Sequence, residues 1–268
     1  MQLDFRINYD TEEAWQFKGV DAYWGTKSLV GLSQVLLITV HASLHEEVIV
    51  QAPAAKGFRI VLGTSRAGSW EQILSLVATD PATVGMLKDL GKDALYDVIK
   101  WALLSGVGVK HVITNRKAKR RIAELEREVD DLQERLEASM SDVHLPIKNQ
   151  NLTIKVLGGR TLLAKFDRST LDYLEHEIVN DETSLVYLGV SRFNARTGWG
   201  RVIESIDAES IPISPSGKLS SKQKEKMAVA LRDIAQGRFS ALPMIVSEVT
   251  APNGALKRYK LHDLPEVD

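Results

Sequence analysis

Residues 3–9 (Leu-Asp-Phe-Arg-Ile-Asn-Tyr) alternate apolar and polar side chains, the period of a strand with one buried face. From Asp21 to His45 the period lengthens. Leu29, Leu32, Leu36, Val40 and Leu44 recur at helical spacing behind Asp21, a residue type that caps helix starts. Residues 48–51 and 58–62 are predicted strands separated by a turn over residues 53–57, and residues 70–78 fit a strand or a helix equally well on periodicity. Pro81 stands where a first-turn proline belongs. Val84, Leu87, Leu90, Ala94, Val98, Trp101 and Leu104 then mark the inner face of a second helix, stopped by Gly106 and Gly108.

After residue 145 the pattern changes. Pro146 and the polar run Lys148-Asn149-Gln150-Asn151 have the character of a linker, which places the start of a new domain near Leu152. Residues 152–156 and 161–166 alternate around Gly158-Gly159, a hairpin signal. A short helix is predicted from residue 168, and strands over 184–193, 199–205, 242–250 and 256–261. Between them one helix starts at Ser220 or Ser221, turns Met227, Leu231 and Ile234 inward and ends at Gly237. Short strands around one helix predict a small, curved sheet or partial barrel. The expected fold class is α+β. Two small α+β domains, residues 1–109 and 152–268, are joined by a charged coiled-coil-like helix over residues 110–145.

That helix segregates its charges. Arg116-Lys-Ala-Lys-Arg-Arg121 is basic, whereas acids dominate from Glu124 to Glu137. With Ile122, Val129 and Leu136 at heptad position a, and Leu125 and Leu132 at d, the apolar stripe favours two parallel strands; an antiparallel pairing, basic half against acidic half, also fits. About 26 residues at 1.5 Å each make a rod of roughly 39 Å, short for a self-sufficient coiled coil. On this reading Ile122, Leu125, Val129, Leu132 and Leu136 form an oligomerisation stripe and the protein is a homo-oligomer. Residues 115–121 running into leucines resemble the basic region of a leucine-zipper DNA reader. The spacing differs, because Arg121 adjoins Ile122 directly, where such a reader leaves about two turns before its first core leucine.

Composition narrows the options. The chain of 268 residues has a net charge of −1 and no cysteine, which excludes disulfides, thiolate nucleophiles and sulfur-based zinc sites. Its first residues carry no secretory signal, and the longest apolar stretch, residues 35–40, is interrupted by Thr39 and short for a membrane span, so a soluble, cytoplasmic protein without membrane partners is expected. The small net charge hides a division: residues 183–260 hold 12 Lys and Arg against 6 Asp and Glu. Arg192, Arg196 and Arg201 flank Trp199, Lys222 and Lys226 open the helix, and Lys257, Arg258 and Lys260 lie on the last strand. If these sets converge, Trp199, Phe193 and Tyr259 stack on bases while the cations follow phosphates, as in proteins that hold single-stranded nucleic acid. Lysines at a helix start are otherwise a solvated face.

Candidate chemistry is sparse. Gly63-Thr-Ser-Arg-Ala67 has the outline of a nucleophile elbow with Ser65 at its centre, and His111 and Asp80 as nominal triad partners. It lacks a broad parallel sheet ahead of it, so an ordinary loop is the expected reading. His41 and His45 share a helical face four residues apart, but two imidazoles need a third ligand. No catalytic residue, metal or cofactor is assigned. The first functional reading is a non-enzymatic, self-associating binding or adaptor protein with a protein partner. The second is nucleic-acid or polyanion binding by Arg192, Arg196, Trp199, Arg201, Lys222, Lys226, Arg258 and Lys260. The third is a serine hydrolase at Ser65.

Overall fold

The computed structural model describes residues 1–11, 17–49, 52–63, 70–124, 129–206, 208 and 210–266. The chain is mixed α+β, and it divides into two compact units, Met1–Leu174 and Glu175–Asp268.

The first unit is built on a five-stranded antiparallel sheet. Its strands are β1 (Gln2–Asp10), β2 (Phe58–Leu62), β3 (Trp70–Ala78), β4 (Thr153–Gly158) and β5 (Thr161–Phe166), in the order β2-β3-β1-β4-β5. The alternation of β1 turns Leu3, Phe5, Ile7 and Tyr9 to the core. The register Phe5↔Leu74 and Phe5↔Gly158 continues that apolar row onto both neighbours, because opposite residues share a face. Residues 70–78 are therefore strand, decided by pairing. Residues 153–166, expected to open the second domain, instead complete this sheet. Their alternation is a strand signal in either setting, and which partner completes the pairing leaves no mark on the period.

Helices cover one face. In α1 (Ala22–His45) the Asp21 carboxylate accepts the Tyr23 and Trp24 N–H groups at 2.9 and 3.1 Å, as its residue type predicts. α1 is long and apolar enough by composition to cross a membrane, yet two-thirds of that stretch is buried within the chain. The second helix is two: α2 (Pro81–Leu90) and α3 (Lys92–Ser105), separated by Gly91 at φ +83°, a non-helical backbone conformation that glycine enters without strain. In the charged rod the described residues form α4 (Arg116–Glu124) and α5 (Val129–Val143), followed by α6 (Leu145–Gln150) and α7 (Arg168–Glu175).

The apolar stripe of the rod is used inside the chain. Leu132, Leu136, Met140 and Val143 of α5 are fully buried in the core of this unit. They pack against α1, where Gly31 lets the backbones close: a Cβ there would lie 2.6 Å from the Ser139 carbonyl oxygen. Across the same seam the Tyr9 hydroxyl donates to Ser28 Oγ at 2.9 Å, and Ser28 donates to the Val143 carbonyl at 2.9 Å. Ile122 is partly buried against the same core. Leu125 lies outside the described residues. The expected use of Leu132 and Leu136 as an intermolecular stripe is thus corrected, because these side chains have already left water against α1.

The second unit is a closed barrel. β7 (Ser184–Phe193), β8 (Gly200–Ile203), β9 (Ile211–Pro215), β10 (Leu242–Thr250) and β11 (Leu256–Asp263) run in the order β7-β8-β9-β11-β10, and β10 pairs back to β7. All contacts are antiparallel except β9 with β11. The two-residue strand β6 (Ile178–Val179) adds to β10. Leu188, Val190, Val202, Ile213, Met244, Val246, Tyr259 and Leu261 fill the interior. Helix α8 (Ser221–Ala235) links the third and fourth strands of the barrel and contributes Met227 and Ala230. Ser220 and Gln223 cap it reciprocally, as the serine pair predicts.

Candidate nucleic-acid interface

The loop between β7 and β8 carries an indole on a rigid support. Asn194 Oδ1 accepts the Arg196 and Thr197 N–H groups at 3.0 and 3.2 Å, its carbonyl accepts Gly198 N–H at 2.8 Å, and its own N–H reaches the Trp199 carbonyl at 2.8 Å. Gly198 sits at φ +80° against Pro215 and Leu219, a turn that only glycine enters without strain. Trp199 follows and is 51% exposed. An indole exposed to this extent on a hydrogen-bonded loop offers an apolar ring surface to solvent.

Cations gather beside it. The Arg258 guanidinium lies 5.6 Å from the Trp199 ring centroid, a cation–π distance. Its Nε donates to Ser214 Oγ of β9 at 3.1 Å, and one Nη donates to the Glu177 carboxylate at 2.6 Å. Lys257 Nζ reaches the same Glu177 oxygen at 3.4 Å. Burial pushes the Glu177 carboxyl up, but Arg258 first and then Lys257 outweigh it and hold it below the usual carboxylate range. On the neighbouring strands Arg192 stands directly opposite Arg201. Val202, next to Arg201, points into the barrel, so Arg201 and its partner Arg192 point outward. Arg201 is braced by Nε donation to Ser210 Oγ at 2.7 Å and by Nη donation to the Ser210 carbonyl at 2.9 Å.

The remaining predicted residues divide. Arg196 is exposed in the Trp199 loop. Lys222 and Lys226 stand at the start of α8 and turn to the tail: Lys222 pairs with Glu266, and Lys226 lies 3.8 Å from Glu266 and donates to the Leu264 carbonyl at 3.2 Å. They adjoin the segment that follows β11, whereas Arg258 sits near its beginning. Lys260 alternates with Tyr259, whose buried ring faces the core, so Tyr259 is no stacking surface. Phe193 packs on the barrel core too. One group thus forms around Trp199 with Arg192, Arg201 and Arg258, and another around the α8 start. Sequence reasoning passed over Glu177, Ser214 and Ser210. Only the local run of acids at Glu175, Glu177, Asp181 and Glu182 marked the first of these.

The other candidates do not converge. Ser65 lies outside the described residues. Its nominal partners are engaged apart from one another: His111 Nε2 contacts Asp97 at 2.6 Å, whereas Asp80 caps α2 through the Thr83 N–H at 2.9 Å and hydroxyl at 2.9 Å. His41 is buried, its ring 4.5 Å from that of His45, with Nδ1 3.1 Å from the Glu47 carbonyl. Burial first of all lowers its proton affinity, and the described residues contain no group of three His, Asp or Glu able to hold a metal. The basic start of α4 is tied into the first unit. Asn115 caps it, Arg121 pairs with Glu46, and Lys117 donates to the Asp89 carbonyl.

Residues 5–175 match the family model of a domain of unknown function (DUF7946). No curated protein and no solved structure matches the chain.

Proposed function

The chain belongs to the DUF7946 family, and we propose that it is a non-enzymatic cytoplasmic protein whose barrel unit binds single-stranded nucleic acid. The observation that carries this reading is the half-exposed Trp199 indole beneath the Arg258 guanidinium, with Arg192 and Arg201 side by side on the adjoining strands. An aromatic face takes a base of any identity, and cations at its margin take the backbone phosphates. Five-stranded Greek-key barrels of the oligonucleotide/oligosaccharide-binding kind use the face of their second and third strands and the loops after the first and fourth. Trp199 lies in the loop after the first barrel strand, Arg201 on the second, Ser214 on the third, and Arg258 just past the loop between the fourth and fifth. The cations favour a phosphate backbone over a neutral sugar chain. The adaptor reading through the central helix has less support, since Leu132 and Leu136 are buried against α1.

The test is the fluorescence anisotropy of a labelled oligothymidylate titrated with the full chain at about 50 mM salt, repeated across a salt series. Trp199→Ala is expected to weaken binding by about 5- to 150-fold, the worth of one stacked base. Reversing the charge of Arg201 and Arg258 should abolish retention. Failure to bind any single-stranded oligonucleotide at low salt, by the unaltered protein and by Glu177→Gln alike, removes the reading.

A further inference from the structure

Within this nucleic-acid reading, on which the inference rests, we infer that Glu177 is an internal occupant of a phosphate position, a carboxylate that the ligand must displace from Arg258 and Lys257. The geometry is that of an anion site already filled. One carboxylate oxygen lies 2.6 Å from an Arg258 Nη and 3.4 Å from Lys257 Nζ, where a phosphodiester oxygen shared by the two cations would lie. Arg258 does not depend on Glu177 alone for its place, since its Nε donates to Ser214 Oγ at 3.1 Å and its guanidinium carbon lies 5.6 Å from the Trp199 ring centroid. Removing the carboxylate therefore leaves the cation aimed and opens its outer edge.

The segment that carries Glu177 is suited to leaving. β6 pairs with β10 at only two positions, Val179↔Val249 and Ile178↔Thr250, and Ile178 and Val179 remain 53% and 43% exposed. Beside these stand the Asn180 N–H to the Glu248 carbonyl at 2.9 Å and Lys257 Nζ to the His176 carbonyl at 3.5 Å. Little apolar area holds the strand down, so its release costs little. The charge along the chain has the matching form. Glu175, Glu177, Asp181 and Glu182 fall within eight residues without a Lys or Arg, immediately before the stretch in which cations outnumber acids 12 to 6. An acidic strand laid on a basic surface competes with a polyanion for the same cations.

The experiment compares oligothymidylate affinities of the full-length protein, Glu177→Gln and Glu182→Gln at low salt. The last variant removes the same charge from a nearby position that does not touch Arg258. Glu177→Gln is expected to bind about three- to tenfold more tightly, with Glu182→Gln close to the unaltered protein. If the unaltered protein binds and Glu177→Gln binds no better, or both variants tighten equally, the inference is overturned while the nucleic-acid reading stands. If only Glu177→Gln binds, the carboxylate is confirmed as the competing anion. If none of the three binds, the nucleic-acid reading falls and takes this inference with it.

Discussion

Ser28 shows how one small hydroxyl can join three elements. It accepts from Tyr9 on β1 and donates to the Val143 carbonyl at the end of α5, all in a fully buried setting, and burial pushes the Tyr9 phenol far above its ordinary value. Ser28→Ala strands both partners, so urea denaturation should reveal a loss of about 1–3 kcal/mol, while Ser141→Ala on the exposed side of α5 should cost little. Asp97 offers a pH signature. Burial would raise its carboxyl, but the Asn115 N–H, the His111 ring and the Thr114 N–H together prevail and hold it below the ordinary value of 3.8. Because the folded value is the depressed one, the stabilisation is complete above that ordinary value and is lost as pH falls below it. The urea midpoint should therefore drop less steeply between about pH 5 and pH 2 in Asp97→Asn than in the unaltered protein. At this scale the sequence was most legible where chemistry is local, as with the Asp21 and Ser220 caps. Glu177 escaped notice because its partner, Arg258, is 81 residues away and no spacing rule connects them.

Elements divide into those read from their own residues and those fixed by a partner. The period of α1 and β1 suffices for each, and so does the serine-capped start of α8. Residues 70–78 needed the register with β1 to become a strand, and the break between α2 and α3 rests on one backbone angle at Gly91. The charged rod was the hardest case. A stripe with a heptad period is a statement that side chains will leave water, and it does not say which surface receives them. Here the receiving surface is the small-residue flank of α1 at Gly31 and Ser28. Leu136→Ala should consequently destabilise the first unit by about 2–5 kcal/mol, as for any truncated core leucine, measured as a shift in urea midpoint. A self-associating rod would instead respond by a fall in particle mass at unchanged stability, so light scattering beside the denaturation curve separates the two.

For the whole molecule, the two cores are lined by different residues, one gathered from residues 3–171 and the other from residues 188–264. Residues 175–268 expressed alone are therefore expected to give a dispersed amide spectrum and a cooperative melt, and to keep the oligonucleotide affinity of the full chain within about twofold, since Trp199, Arg192, Arg201, Arg258 and Glu177 all travel with them. The eight residues chosen from sequence as a binding set were chosen by composition, which finds basic and aromatic neighbours but cannot say which will share a face. Closure of the barrel decides that by bringing β11 alongside β9, a parallel contact between strands some forty residues apart. The same closure orders events during synthesis. β11 is the stave that joins both margins of the barrel, and β1, made first, waits at the centre of its sheet until residues 153–158 arrive to cover its second side. Neither core can seal early, so a ribosome paused ahead of either strand displays a half-made surface with unpaired amides, and that interval is when chaperones have the most to hold.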